Sequence, residues 1–204
     1  MKTLSIALTG GIGCGKTLIS QVFSHLQVPV FNSDKVAKEL YLRKDVLKDM
    51  QTLFGTEIVA DGVLDRGKLS EIVFNDREKL EQLNSYIHPK VEEEYMTWLK
   101  QQSEQNKPYA IMESALIFEI KWEKKFDKII CINTPERFVI QRTMLRDNAT
   151  KQQIEKRMQN QISTKEKIEK SDYIINNDDV QLVIPQILKI DNELKILSNK
   201  INTI

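Results

Sequence analysis

The chain has 204 residues, enough for one α/β domain with insertions or at most two small domains, and enough to bury a sizeable core. Its 30 Lys and Arg residues nearly balance 29 Asp and Glu, so no whole-chain field recruits nucleic acid or a membrane surface. Cys14 and Cys131 are far apart with no metal-ligand spacing, and no apolar run approaches the roughly 20 residues of a membrane span. The expectation is a cytoplasmic protein in reducing surroundings, a monomer or small homo-oligomer. Lys2 leads straight into a short strand, so no signal peptide is expected.

Leu4 to Leu8 is an apolar run that reads as a buried strand. Gly10-x-x-x-x-Gly15-Lys16-Thr17 follows, the full phosphate-binding loop pattern. Next come Leu18, Ile19, Val22, Phe23 and Leu26, which share one helical face. Strand, glycine loop and helix in this order give the motif its context. Glycines let successive N–H groups turn inward as an anion nest, and the helix adds its positive N-terminal end. Lys16 brings a point charge to the outer phosphates, and Thr17 offers a hydroxyl to Mg²⁺. The bland alternative is a glycine-rich turn that binds nothing.

Val28 to Phe31 reads as a second strand, with Asn32-Ser33-Asp34 at its C-terminal end. Open α/β sheets place ligands there, so Asp34 is a candidate; Ser33 or Asp34 could instead cap the helix through Val36, Ala37 and Leu40. From Arg43 to Asn106 the pattern is mostly helical, without a strong strand. Val46, Leu47, Met50, Leu53 and Phe54 form one face, Asp61-Gly62 marks a turn, and Lys68 to Phe74 starts another helix. A third helix spans Lys79 to Ile87, stopped by His88-Pro89, and a fourth spans Lys90 to Gln105. Such a length between strands exceeds a simple crossover and reads as an inserted substrate-binding region.

Tyr109 to Met112 is a third strand, with Glu113 at its tip, a place from which a carboxylate can assist a metal. Glu119 is a second acidic candidate, Trp122 reads as core, and Lys128 to Ile132 is a fourth strand containing Cys131. Thr134-Pro135 gives a cap and first-turn proline for a helix from Glu136 to Leu145, and Thr150 caps another from Lys151 to Gln161. Arg137, Arg142, Arg146, Lys156, Arg157, Lys165 and Lys167 make this region basic, where small-molecule kinases carry an arginine lid; a solvated helix surface is the plainer reading. Ser171 to Ile175 is a fifth strand ending in Asn176-Asn177-Asp178. The last helix runs from Val180 to about Leu197, with Leu182, Val183, Ile187, Leu188 and Ile190 apolar.

Taken together, these motifs resemble the dephospho-coenzyme A kinase family. The matching stretches are Thr9-Gly-Gly-Ile-Gly-Cys-Gly-Lys-Thr17, Ser33-Asp34 with Ala37, Leu64-Asp-Arg66 with Leu69, Leu83-Asn84 and Ile87-His-Pro89. They continue with Leu116-Ile-Phe-Glu119, Arg142 with Arg146-Asp147, Arg157 and Gln161, and Asp172-Tyr-Ile-Ile-Asn176-Asn177. The resemblance implies an α/β P-loop kinase with a five-stranded parallel sheet. Its core would span 1–36, 107–136 and 168–204, its helical substrate-binding insertion about 37–106, and its lid about 137–167. It implies transfer of the ATP γ-phosphoryl to the ribose 3′-hydroxyl of dephospho-coenzyme A. Ile12, Gly13, Cys14, Gly15, Lys16 and Thr17 would hold ATP phosphates and Mg²⁺, and Asp34 would meet the acceptor hydroxyl. Arg142 and Arg146 would stabilise charge on the moving group, Asn176 or Asn177 would lie near adenine, and Arg66 and His88 would contact substrate. Members often have Asp where this chain has Glu113, proline where it has Ala115 and serine where it has Cys14; Glu113 would meet Mg²⁺ directly or through water. Two alternatives stay open: another small-molecule kinase of the nucleoside-monophosphate-kinase type, and a nucleotide-dependent switch. The second lacks support, because Asn199-Lys-Ile-Asn202 is the nearest string to a guanine-reading motif and lacks the acid.

Overall fold

The computed structural model describes residues 2–60 and 62–203, with Phe74 described by its backbone alone. Asp61, half of the expected Asp61-Gly62 turn, lies outside the described residues. The elements are β1 (Leu4–Gly10), α1 (Lys16–His25), β2 (Val30–Asn32), α2 (Ser33–Leu40), α3 (Lys44–Phe54), β3 (Val59–Ala60), β4 (Val63–Leu64) and α4 (Arg66–Phe74). Then follow α5 (Arg77–Glu104), β5 (Tyr109–Glu113), β6 (Lys128–Asn133), α6 (Glu136–Asp147), α7 (Lys151–Gln159), α8 (Thr164–Glu169), β7 (Tyr173–Asn176) and α9 (Val183–Asn202). They divide into two compact units, 1–31 with 98–204, and 32–97.

The larger unit is built on a five-stranded sheet in the order β2-β5-β1-β6-β7. β1 runs parallel to both β5 and β6, and β6 parallel to β7. All seven residues of β1 are buried, as a central parallel strand covered on both faces requires. Leu8 lies opposite Glu113 on one side, and Gly10 opposite Ile132 on the other, so the tips of three strands meet where the glycine loop begins. Ile19 and Phe23 of α1 and Ile187, Ile190 and Leu194 of α9 pack against Leu4, Ile6 and Leu8 in one cluster. Cys131 is fully buried in β6, and burial pushes its thiol up to about 11. The fold class expected from the sequence is the one observed. No helix among the described residues is long and apolar enough to cross a membrane.

In the smaller unit, Val46, Met50 and Phe54 of α3 pack with Ile58, Leu64, Leu69, Val73 and Leu83 in a cluster of their own. The stretch is mostly helical, as expected, and its only strands among the described residues are the two-residue β3 and β4, which pair antiparallel with Val59 opposite Leu64. One expectation fails here: His88-Pro89 does not end a helix, because α5 runs through Pro89 without a break. Pro89 cannot donate to the carbonyl one turn back. Yet Leu83, Ile87, Val91 and Tyr95 are all buried at a spacing of four, and this stripe continues across the proline.

Helix ends differ too. Asn32, rather than Ser33 or Asp34, caps α2 by accepting the Lys35 N–H at 2.8 Å. Thr134 does not cap α6, whose N-cap position is Pro135. Thr150 does cap α7, in a full capping box with Gln153. α9 starts at Val183, and Leu182 is left 77% exposed.

Candidate active site

The glycine loop is shaped by what surrounds it. Gly13 has φ +69° and Gly15 φ +95°, backbone that side chains resist. A Cβ on Gly13 would sit 2.2 Å from Thr143 Oγ1, and one on Gly15 2.6 Å from Asn177 Nδ2. The Cys14 carbonyl accepts two buried donors, Thr134 Oγ1 at 3.0 Å and Asn177 Nδ2 at 2.9 Å. A trans planar peptide with its carbonyl pinned one way aims its N–H the other way. The Gly15 amide therefore points to the opposite side of the loop, as an anion nest requires. Lys16 Nζ donates to the carbonyls of Gly10 and Gly11, both at 3.0 Å, so the ammonium stands over the start of the loop. Ile12 N–H donates to Gln161 Oε1 at 3.0 Å.

At the helix end of the loop, Thr17 Oγ1 donates to Glu113 Oε1 at 3.1 Å and Ser20 Oγ donates to Glu113 Oε2 at 2.9 Å. Glu113 is 6% exposed, whereas Thr17 is exposed. A buried carboxylate beside an exposed hydroxyl at a phosphate loop offers hard oxygen donors.

The basic hairpin is held differently. Arg142 Nη2 is 2.7 Å from Asp179 Oδ1, and its guanidinium lies 5.5 Å from the Phe138 ring. Arg146 pairs with Asp147 at 2.7 Å, and Arg157 reaches the same carboxylate at 3.0 Å. The Arg146 hydrogen bond, then Arg157, holds the Asp147 carboxyl below the usual carboxylate range. The two asparagines expected near adenine are engaged in the scaffold. Asn177 Nδ2 is on the Cys14 carbonyl, and Asn176 exchanges backbone bonds with Gln186 and accepts from Asn133 Nδ2.

Comparison with known proteins decides among phosphate-loop enzymes. The family model described as dephospho-CoA kinase matches residues 4–182. The chain belongs to the dephospho-CoA kinase family. It is 35% identical over 178 residues to a dephospho-CoA kinase of Bacillus cereus, covering 86% of this chain and 89% of that one. It is equally 35% identical to one of Fusobacterium nucleatum, covering 87% and 91%. Among solved structures, a dephospho-CoA kinase from Campylobacter jejuni superposes with a TM-score of 0.69 at 27% identity, over 94% of this chain and 96% of that one. A protein of Thermus thermophilus gives 0.81 at 25% identity, over 95% and 97%.

The remaining residues expected from the dephospho-CoA kinase resemblance lie in the smaller unit. Asp34 is exposed in the first turn of α2, and no hydrogen bond among the described residues uses its carboxylate. With Asn32 serving as the cap, Asp34 is left uncommitted. Arg66 Nη2 donates to the Lys38 carbonyl at 3.3 Å. His88 is a half-buried helical residue rather than a turn residue, and burial lowers its pKa. Sequence reasoning missed Thr134, Ser20 and Gln161 as parts of the site. Only Gln161 carried a signal, as a motif residue with no role attached.

Proposed function

We propose that this chain moves the γ-phosphoryl group of ATP to the ribose 3′-hydroxyl of dephospho-coenzyme A, giving coenzyme A and ADP. The pairing of Thr17 with the buried Glu113 at the foot of the phosphate loop carries the reading at the level of the site. Membership of the dephospho-CoA kinase family supplies the acceptor and sets aside the monophosphate-kinase alternative.

Ile12 to Thr17 bind the phosphate chain. Lys16 donates to two loop carbonyls and, weakly, to the Cys14 sulfur at 3.9 Å, and the sulfur contact is the one it gives up for an outer phosphate oxygen. Thr17 and Glu113 would hold Mg²⁺, and their hydroxyl and carboxylate oxygens suit it. Among the described residues no group of three or more His, Cys, Asp and Glu gathers to hold an ion. An ion that takes most ligands from water and substrate phosphates needs no such cage. When bound, it neutralises charge on the phosphates. Arg142 and Arg146 leave their carboxylate partners for the transferring group, where planar guanidinium forks pair with phosphoryl oxygens. Asp34 receives the acceptor hydroxyl and orients it or takes its proton, and a loose transition state asks little basicity of it. The smaller unit, with Arg66 and His88, holds dephospho-coenzyme A, and 137–167 acts as the lid. The reaction belongs in the cytoplasm, with no nucleic acid or membrane as partner.

A coupled ADP-release assay with dephospho-coenzyme A, AMP and CMP tests the acceptor. Turnover should be confined to the first, and comparable turnover with AMP would overturn the reading. Asp34→Asn should keep ATP binding and cut turnover roughly 10²-fold. Near-normal turnover would remove Asp34 from the chemistry.

A further inference from the structure

Gln161 lies in the connection between α7 and α8, far in sequence from the phosphate loop. Its Oε1 nevertheless accepts the Ile12 N–H at 3.0 Å. The segment that carries it is anchored. Gln161 N–H donates to the Met158 carbonyl at 3.0 Å, and Ile162 N–H to Glu119 Oε1 at 3.1 Å. Lys167 Nζ sits 2.8 Å from that same Glu119 oxygen and donates to the Ala115 carbonyl at 2.9 Å. Lys167 is fully buried. A buried ion pair thus fixes the backbone next to Gln161 to the segment that follows Glu113.

The position of Lys16 says which end of a triphosphate Gln161 faces. Its ammonium rests on the Gly10 and Gly11 carbonyls, at the start of the loop. The lysine of such loops serves the outer phosphates, whereas the later amides and the helix N-terminus serve the inner ones. Ile12 follows Gly11 directly, so the γ end is the end nearest Gln161. A carboxamide has two ends. Because Oε1 must be the atom that accepts from an N–H, Nε2 and its two hydrogens are the other end. No hydrogen bond among the described residues uses Nε2, and Gln161 lines the cavity that reaches along Thr134, Val139 and Met158.

We propose that Gln161 is a γ-phosphoryl contact. Its Oε1 holds the Ile12 peptide in place, and its Nε2 donates to an oxygen of the terminal phosphoryl group. The site thereby tells a triphosphate from a diphosphate. The inference rests on the phosphate-loop reading given above and adds a residue to it.

Two substitutions separate the two ends of the side chain. Gln161→Glu keeps an acceptor for Ile12, loses the donor and adds a negative charge. Gln161→Ala removes both ends. The whole chain with Mg²⁺ is titrated with ADP and with β,γ-imido-ATP by calorimetry, alongside thermal unfolding of each variant. Both variants should hold ADP within about twofold of the unaltered chain. Gln161→Ala should weaken the imido analogue by about tenfold and Gln161→Glu by more, the range of a charge-assisted hydrogen bond. Equal weakening of both nucleotides overturns the proposal and leaves Gln161 a brace. Tighter binding of the analogue by Gln161→Ala overturns it in favour of a stand-in that phosphate displaces. Unchanged binding in both variants overturns it outright. An unaltered chain that binds neither nucleotide removes the phosphate-loop reading itself, and the proposal with it.

Discussion

The phosphate loop and the basic hairpin of α6 and α7 belong to the same unit and carry matching chemistry, yet they are held in opposite ways. The loop is fixed by buried, neutral partners: the Cys14 carbonyl between Thr134 and Asn177, and Gly13 against Thr143. The hairpin arginines sit in pairs with at least one exposed member: Asp179 is 57% exposed beside Arg142, and Arg146 is 62% exposed beside the partly buried Asp147 side chain. Buried hydrogen bonds of this kind cost about 1–3 kcal/mol to leave unmade, whereas exposed ion pairs contribute about 0–1 kcal/mol. The loop is therefore a template built before substrate arrives. In the proposed reaction the arginines are parked, and a phosphoryl group would replace their carboxylate partners without a large penalty. Preorganised loop donors and these cations would then divide the work of charge stabilisation between them.

The contrast breaks first at the buried supports. Lys167→Met strands Glu119, which is 14% exposed, without its partner. Breaking a buried pair from one side costs about 3–5 kcal/mol, so chemical denaturation should show a loss of that order. The double variant Lys167→Met with Glu119→Gln should recover part of it. A loss below about 1 kcal/mol would place this pair with the surface ones and erase the distinction.

Lys16→Ala tests the template side: it removes the ammonium and its two bonds to the Gly10 and Gly11 carbonyls but leaves the Thr134 and Asn177 supports of the Cys14 carbonyl in place. Turnover should fall roughly 10²- to 10³-fold, the range for removing one preorganised electrostatic group, while thermal unfolding stays near that of the parent. Arg142→Ala should cost less, roughly 10- to 100-fold in turnover, because Arg146 remains. Its effect on stability should be small, since the side chain is partly exposed and its partner is at the surface. A fold that collapses on losing Arg142 would mean the hairpin is structural rather than parked.

Much of this division was legible in the sequence. Glycine spacing after an apolar strand specifies the loop, because few residues tolerate the backbone of Gly13 and Gly15. Most of the succession of helices and strands along the chain followed from period and length, though not the order of the strands within the sheet. What the sequence hid were partners distant along the chain. Thr134 looked like a helix cap, since Thr before Pro at a helix start is a local signal, but its hydroxyl is spent on Cys14, 120 residues away. The family resemblance put Asn176 or Asn177 near adenine, but it gave no sign that the Asn177 amide also reaches the Cys14 carbonyl, 163 residues away. The break expected at His88-Pro89 was a local rule overridden by burial of Leu83, Ile87, Val91 and Tyr95 along one stripe. Asn32 outcompeted Ser33 and Asp34 for the cap of α2, a choice among neighbouring good caps that propensity alone does not rank.

The sharpest version of the comparison is also the smallest effect. Asp179 has φ +61°, a conformation that Asn shares readily, so Asp179→Asn removes the charge and keeps the backbone. Arg142 then loses a charged partner but not a hydrogen-bond acceptor. If the pair is a resting place, stability should change by less than about 1 kcal/mol, and turnover should stay the same or rise by up to about twofold, because less is lost when Arg142 moves to substrate. Added salt should narrow even that difference, since exposed pairs are screened. The opposite result is equally clear. A fall in turnover as large as that of Arg142→Ala would show that Asp179 aims the guanidinium during the reaction, and the hairpin would then share the preorganised character of the loop.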